Sequence, residues 1–215
     1  MKAPALFVAA VVAAAALTGV LAGARPAESA TIGTIAVDLA LGDAVTLDAA
    51  VNVEQLTSSA GAVSVTGTIG GTATILGTSA TIAAQPFTLS ATTTCKAGMG
   101  TLQVTTGPIS ASKNGTPITI AGATLRVAAT CGRSPTLDVA AGAVSATAGG
   151  TKVSTTPCAI TITAPARSTV GTAVCSLQNV ICQLNEVLAA PNPSATDIIG
   201  LLNQAIAKLN AAATV

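Results

Sequence analysis

Apolar and polar residues alternate over much of the chain from residue 31 to about residue 163, which is the period of a β-strand with one buried face. Two stretches repeat this alternation thirty-five residues apart: Thr101–Thr116, TLQVTTGPISASKNGT, and Thr136–Thr151, TLDVAAGAVSATAGGT. Each ends at a pair suited to the positive φ angles of a tight turn, Asn114-Gly115 or Gly149-Gly150. The pattern predicts two β-hairpins, over Thr101–Thr130 and Thr136–Thr163.

Further strands are predicted before the repeat. Residues 31–53 alternate on both sides of Gly42-Asp43, and residues 61–84 on both sides of Gly70-Gly71, so each predicts two strands around a turn. Residues 54–60 form a polar link between them, and Phe87–Thr94 is a further strand. Many short strands with Gly-rich turns indicate a mainly β domain over residues 31–165, an antiparallel β-sandwich-like meander, with a short β-solenoid as the alternative.

After Pro165 the apolar spacing changes from two to three and four, which is the stripe of an amphipathic helix. Pro191 and Pro193 end the first helix, and Ser194 with Asp197 resembles a capping box that begins the second. So short a connection predicts an antiparallel αα-hairpin over residues 168–212. We expect its apolar faces to pack on the sheet or on each other; a docking surface for another protein is the alternative. The stripes comprise Val174, Leu177, Ile181, Leu184 and Leu188, then Ile198, Leu202, Ala205, Ile206 and Leu209.

The first residues carry a targeting pattern. Lys2 precedes an apolar run over residues 5–21, and the small residues Ala22-Gly23-Ala24 follow it. This predicts a secretory signal peptide over residues 1–24, with Ala30 as a second, later cleavage point. The apolar run is shorter than the roughly 20 residues of a spanning helix. We therefore expect a secreted, extracellular protein with no integral membrane segment after signal removal.

Composition narrows the classes of function. Without residues 1–24, basic and acidic residues balance at eight each, so no basic patch is available and we expect no nucleic-acid partner. The sequence has no His, Trp or Tyr, and Phe87 is the single aromatic residue after the signal peptide. A core of small aliphatic side chains buries little area per residue, so stability is expected to depend on disulfides formed after export.

Five cysteines leave one unpaired. Cys175 and Cys182 are seven residues apart on the first predicted helix, about 10 Å along its axis, which is too far for a disulfide between them. At least one of them must therefore reach the β region. Cys131 and Cys158 bracket the second hairpin, and a bond between them is the most economical closure. The predicted set is Cys131–Cys158 and Cys95–Cys175, with Cys182 free and buried; no metal site is expected, because no CxxC pair or His accompanies the thiols.

Catalytic groups are sparse. The lack of His excludes a Ser-His-Asp or Cys-His arrangement. Serines and lysines lie close in sequence around Lys113 and Lys152, but such pairs in Thr-rich strands are typically solvated. Three aspartates recur every five residues, and we interpret them as surface and turn residues rather than a Ca²⁺ site. We predict no catalytic, cofactor-binding or metal-binding residues, and no enzyme. The residues considered were Ser110, Ser112 and Lys113, Lys152 and Ser154, and Asp38, Asp43 and Asp48.

Short motifs in residues 85–209 resemble uncharacterised secreted bacterial proteins that have a strand region, a G-x-x-x-C helix and a C-terminal leucine-rich segment containing LLN. The matching residues are Cys95, the stretch Gly171–Cys175 and the stretch Ile199–Asn203. The chain departs from that group in its additional cysteines. The resemblance implies secretion and one strand-to-helix disulfide, and it implies no activity.

Together these patterns predict a secreted, non-enzymatic structural or interaction protein of the cell exterior. Its partner would be an unknown extracellular protein or a second copy of itself. A protein that binds a small apolar ligand between helices and sheet is the alternative, and an exported hydrolase using Ser and Lys is a third hypothesis.

Overall fold

The computed structural model describes residues 31–40, 45–75, 78–113, 115–143, 145–148, 151–154 and 156–213. Within these ranges the chain forms twelve strands followed by two helices. The strands are β1 Gly33–Ala40, β2 Val45–Ser59, β3 Ala62–Ile75, β4 Thr78–Lys96, β5 Met99–Thr106, β6 Ile109–Lys113, β7 Thr116–Ile120, β8 Thr124–Thr130, β9 Thr136–Ala141, β10 Ser145–Ala148, β11 Thr151–Ser154 and β12 Cys158–Thr163, and the helices are α1 Thr169–Ala189 and α2 Ala195–Ala213.

All twelve strands belong to one antiparallel sheet that branches at β4. The second half of β4 pairs with β5 over residues 89–96, and its first half pairs with β6 at Thr81. One branch continues from β5 through β8 and β9 to β12, and the other from β6 through β7 and β10 to β11. On the other side of β4 lie β3, β2 and β1 in that order. The predicted mainly β, antiparallel fold with a C-terminal αα-hairpin is confirmed.

The two repeated hairpins are present, and each is folded into an inner and an outer pair of strands. The first gives β5 with β8 and β6 with β7; the second gives β9 with β12 and β10 with β11. Lys113 pairs with Thr116 across the predicted turn, where Gly115 has φ 79°. Ala148 pairs with Thr151 in the second hairpin, while Gly149-Gly150 lies outside the described residues.

The turn predicted at Gly70-Gly71 is wrong, because β3 continues through both glycines. The pairing with β4 shifts register between Ile69 and Gly71, as at a β-bulge. A Cβ on Gly71 would lie 2.2 Å from the carbonyl oxygen of Asp48, so glycine is required here by the close approach of β2.

The polar link predicted over residues 54–60 is also wrong for most of its length, since β2 runs to Ser59. The chain reverses instead at Ala60-Gly61, where φ is 43° and 82°. Positive φ at both positions is the geometry of a tight hairpin turn. The predicted strand Phe87–Thr94 forms part of the longer β4, and the turn predicted at Gly42-Asp43 lies outside the described part of the chain.

The core lies between one face of the sheet and the helical hairpin. Alternate residues of β3 and β4 point inward, including Val63, Val65 and Phe87, while the intervening positions are largely Ser and Thr that are partly or fully exposed. Most residues of the predicted helical stripes are buried in this core, and Ile206 and Leu209 are partly buried against it. In α1 Leu177, Ile181, Leu184 and Leu188 are almost fully buried. Neither described helix is long and apolar enough to cross a membrane.

Serine caps fix where both helices begin. The hydroxyl of Ser168 accepts a hydrogen bond from the backbone N–H of Gly171 at 3.0 Å, and that of Ser194 accepts one from Asp197 at 3.3 Å. Each bond satisfies one of the N–H groups that a helix leaves unpaired at its start.

Candidate functional site

Two disulfides connect α1 to the sheet. Cys95 near the end of β4 is bonded to Cys182, with Cα atoms 5.1 Å apart, and Cys131 directly after β8 is bonded to Cys175, with Cα atoms 4.7 Å apart. We call these four residues the disulfide clamp. The second bond lies inside the sequence loop closed by the first, so the two bonds are nested.

The clamp works because two spacings agree. Cys95 lies near the end of β4 and Cys131 directly after β8, and β5 alone separates these two strands, so the strands are about 9.6 Å apart. Cys131 is two residues beyond Ala129, the β8 residue in register with Cys95 through Gly100. Cys175 and Cys182 are seven residues apart, which is about 10.5 Å along a helix axis. One helix lying across the strand ends therefore brings each of its cysteines to a different strand.

The predicted pairing is corrected by this arrangement. Both helical cysteines are bonded to the sheet, so Cys182 is neither free nor fully buried, and Cys95 is bonded to Cys182 rather than to Cys175. The prediction that Cys175 and Cys182 cannot join each other agrees with the structure. Cys131 is bonded to Cys175 rather than to Cys158. Cys158 therefore has no further cysteine of this chain with which to pair.

The order of the strands explains why Cys131 does not reach Cys158. Cys131 follows Thr130, which is in register with Thr136 of β9 and through it with Thr163 of β12. Cys158 is at the opposite end of β12, five residues from Thr163, or about 17 Å along the strand. A disulfide requires Cα atoms within about 7 Å, so the two cysteines cannot be joined in this fold.

Close approach of the helix to the sheet depends on Gly100, which pairs with Cys95. A Cβ on Gly100 would lie 3.0 Å from the carbonyl oxygen of Gln178 and 3.1 Å from Cβ of Ile181. The amide of Gln178, itself buried, donates to the sulfur of Cys182 at 3.1 Å. The glycine thus allows α1 to lie against the sheet where the clamp closes.

The turn that precedes α1 is also closely packed against the first residues of the helix. A Cβ on Gly171 would lie 2.2 Å from the carbonyl oxygen of Pro165. The hydroxyl of Ser168 donates to the same carbonyl at 2.7 Å. Gly171 is the glycine of the G-x-x-x-C motif, so both ends of that motif have structural roles: Gly171 in the entry to the helix and Cys175 in the clamp.

A groove of about 400 Å³ lies between α1 and α2. Its polar residues are exposed, and Leu201 is its one buried apolar side chain. The groove is therefore a shallow polar cleft rather than the apolar cavity between helices and sheet that a small-ligand binder would need. Its lining comprises Gln183, Glu186, Val187, Thr196, Asp197, Gly200, Leu201 and Gln204.

Of the three aspartates, Asp38 and Asp48 lie in the described part of the chain. The register of β1 and β2 pairs Asp38 with Asp48. Asp48 is exposed, and Asp43 is outside the described residues. In the part of the chain that the structure describes, no group of three or more His, Cys, Asp or Glu residues is placed to hold a metal ion.

The Ser and Lys residues considered for catalysis lie on the second branch of the sheet. The hydroxyl of Ser154 is 3.0 Å from that of Ser145 on the neighbouring strand. Lys152 is exposed on β11, whereas a lysine that activates a nucleophile is usually desolvated. Ser110 and Ser112 are half-buried on β6, and Lys113 ends that strand.

Asn203 has a role that the sequence analysis did not assign. Its side-chain oxygen accepts from the N–H of Ala36 at 2.8 Å, and its nitrogen donates to the carbonyl of Thr34 at 3.0 Å. These two groups lie on the edge of β1, so the amide occupies the place of a neighbouring strand.

The chain matches no protein-family model, no curated protein and no solved structure.

Proposed function

We propose that this protein is a secreted, non-enzymatic structural or interaction protein of the cell exterior. The observation that supports this most directly is the disulfide clamp, because structural disulfides persist in oxidising compartments and are rare in the cytosol. The signal-like residues 1–24 support the same location.

The nature of the surface supports the non-enzymatic part of the proposal. The outer face of the sheet presents mainly hydroxyl groups, and the described charged residues are few. The groove between the helices is lined mostly by exposed polar residues and offers no catalytic His or Cys. A hydrolase using Ser154 and Lys152 would need a desolvated lysine beside the serine, and Lys152 is exposed.

Fractionation of the native host into cytoplasm, cell surface and medium tests the location. We expect the mature chain in the surface or medium fraction, beginning after residue 24 and carrying both disulfides. A panel of hydrolase substrates tests the activity, with Lys152→Ala and Lys113→Ala as controls. A chain found reduced in the cytoplasm, or turnover that either lysine substitution abolishes, would overturn the proposal.

A further inference from the structure

The sheet has three terminal strands, and two of them are protected against pairing with another strand. Asn203 occupies the edge groups of Ala36 and Thr34 on β1. The second terminal strand, β11, is only four residues long and carries the exposed Lys152. Short length, an edge lysine and coverage by a helix are the devices by which proteins protect sheet edges.

Among the residues that the structure describes, none supplies such a device to the third terminal strand, β12. Its six residues, CAITIT, include no charged residue and no proline, and its pairing with β9 has no bulge. No described strand pairs with its other edge. Such an edge is a template for one more strand.

The register shows which backbone groups are available. Ala164 donates its N–H to Pro135, so the even-numbered residues of β12 direct their N–H and C=O groups toward β9. The odd-numbered residues Ala159, Thr161 and Thr163 direct theirs to the open edge. Their side chains are exposed on the outer face, and Ile160 and Ile162 on the inner face are half-buried.

We propose that β12 pairs with β12 of a second copy, antiparallel and centred on Thr161. The three available residues are evenly spaced, so Thr161 faces its own counterpart and Ala159 faces Thr163 of the other copy. This register uses all three donors and all three acceptors of each strand, for six hydrogen bonds, and each Ile160 meets Ile162 of the other copy. Because the strand has no charge, no like charges oppose each other across the two-fold axis. The inference specifies the partner within the proposed function of an interaction protein.

The size of this contact sets its strength. At about one hydrogen bond per 100–200 Å², six bonds correspond to roughly 600–1,200 Å² of buried surface. That is the low end for specific interfaces, so we expect a reversible dimer with a dissociation constant no tighter than about 1 μM.

Sedimentation velocity on the oxidised mature chain tests the dimer, over concentrations from about 5 to about 500 μM that bracket the expected range. We expect the weight-average sedimentation coefficient to rise with concentration for the native chain. Ala159→Pro removes an N–H that faces the open edge and not β9, so this variant should remain a monomer. Ala159→Ser keeps that N–H and is the matched control, expected to dimerise. Circular dichroism and disulfide mapping check that each variant folds.

Cysteine cross-linking tests the register and does not depend on the proline variant. With Cys158→Ala as background, Thr161→Cys places two thiols across the two-fold axis with Cα atoms about 5.5 Å apart, within disulfide range. Ala159→Cys serves as the control, because it places the two thiols about four residues apart along the paired strands, which is roughly 14 Å. We expect a covalent dimer from Thr161→Cys alone.

Three results would overturn the inference: a native chain that is monomeric throughout, a dimer that survives Ala159→Pro, or equal cross-linking at both positions. A monomeric chain that is exported and oxidised would leave the proposed function intact with a different partner. A reduced cytoplasmic chain would refute the proposed function whatever its sedimentation.

Discussion

Removing the outer bond of the disulfide clamp is the most informative perturbation, because the nesting of the two bonds makes their contributions interdependent. The outer bond joins residues 87 apart in sequence and the inner bond residues 44 apart. In the chain-entropy account a disulfide stabilises by restricting the unfolded chain, and the effect grows with the length of the loop it closes.

The expected magnitudes follow from those loop lengths. Acting alone at 25 °C, the outer bond would contribute about 4.6 kcal/mol to the free energy of unfolding, and the inner bond about 4.0 kcal/mol. With the inner bond in place, the outer bond closes an effective loop of only about 43 residues and contributes about 4.0 kcal/mol. With the outer bond in place, the inner bond contributes about 3.4 kcal/mol, so both together contribute about 8 kcal/mol. That is comparable with the whole stability of an ordinary domain, about 5–15 kcal/mol.

Equilibrium unfolding in guanidinium measures these losses. The chain has no Trp or Tyr, so the signal is far-ultraviolet circular dichroism rather than fluorescence. We expect Cys95→Ala/Cys182→Ala and Cys131→Ala/Cys175→Ala each to lose about 3–4 kcal/mol, and removal of all four cysteines to leave little or no folded protein. The free energy of unfolding should depend more steeply on guanidinium concentration in each double variant, because an unfolded chain without that disulfide exposes more surface.

A loss below about 1 kcal/mol for the Cys95→Ala/Cys182→Ala pair would refute the chain-entropy account, since that account predicts several times this value. Retention of full stability without all four cysteines would likewise show that the packed core, rather than the clamp, stabilises the fold.

Three further predictions concern the surroundings of the clamp and the edge of β1. Peptide mapping without reduction should recover Cys95 linked to Cys182 and Cys131 linked to Cys175. No Lys or Arg separates the two helical cysteines, so the digest needs, besides trypsin, a protease that cleaves after Leu177. A peptide that links Cys131 to Cys158 would contradict the strand order. Gly100→Ala should lower the free energy of unfolding by about 1–3 kcal/mol, because the new methyl group crowds the α1 backbone. Gly132→Ala, which has open space around it, should change stability little, and equal losses would disprove the crowding. Asn203→Leu should lower the free energy of unfolding by about 1–3 kcal/mol and speed amide hydrogen exchange at Ala36, because two backbone groups at the edge of β1 lose their partners. Gln204→Leu, at an exposed neighbouring position, is the control. Unchanged exchange at Ala36 in Asn203→Leu would contradict the role of Asn203 at this edge.

Local signals in the sequence predicted the local structure best. The period of two indicates strands and the spacing of three and four indicates helices, and Lys113 pairs with Thr116 across the turn predicted at Asn114-Gly115. Turns at Ala60-Gly61 and Ala97-Gly98 were not predicted, because alanine at positive φ has no sequence signature and is held there by the pairing of the flanking strands. The turn predicted at Gly70-Gly71 is absent because a glycine pair permits close approach of strands as well as turns.

The disulfide pairing depended on information that no local pattern contains. Helix geometry alone excludes Cys175–Cys182, and that inference agrees with the structure. Choosing partners for these cysteines requires knowing that β5 lies between β4 and β8, which is a long-range property of the sheet. The role of Gly100 is likewise visible only once α1 lies across β5 beside Cys95.

The nested bonds also determine how the chain would respond to tension between its two ends. A pulling force would pass from Cys95 to Cys182 through sulfur, so the intervening segment, including β5 to β12, could not be drawn out while that bond holds. Roughly 300 Å of contour length is thereby withheld from extension. Of the described elements, only β1 to β3, β4 up to Cys95, the end of α1 and α2 could be drawn out, and the repeated hairpins would form an inextensible unit.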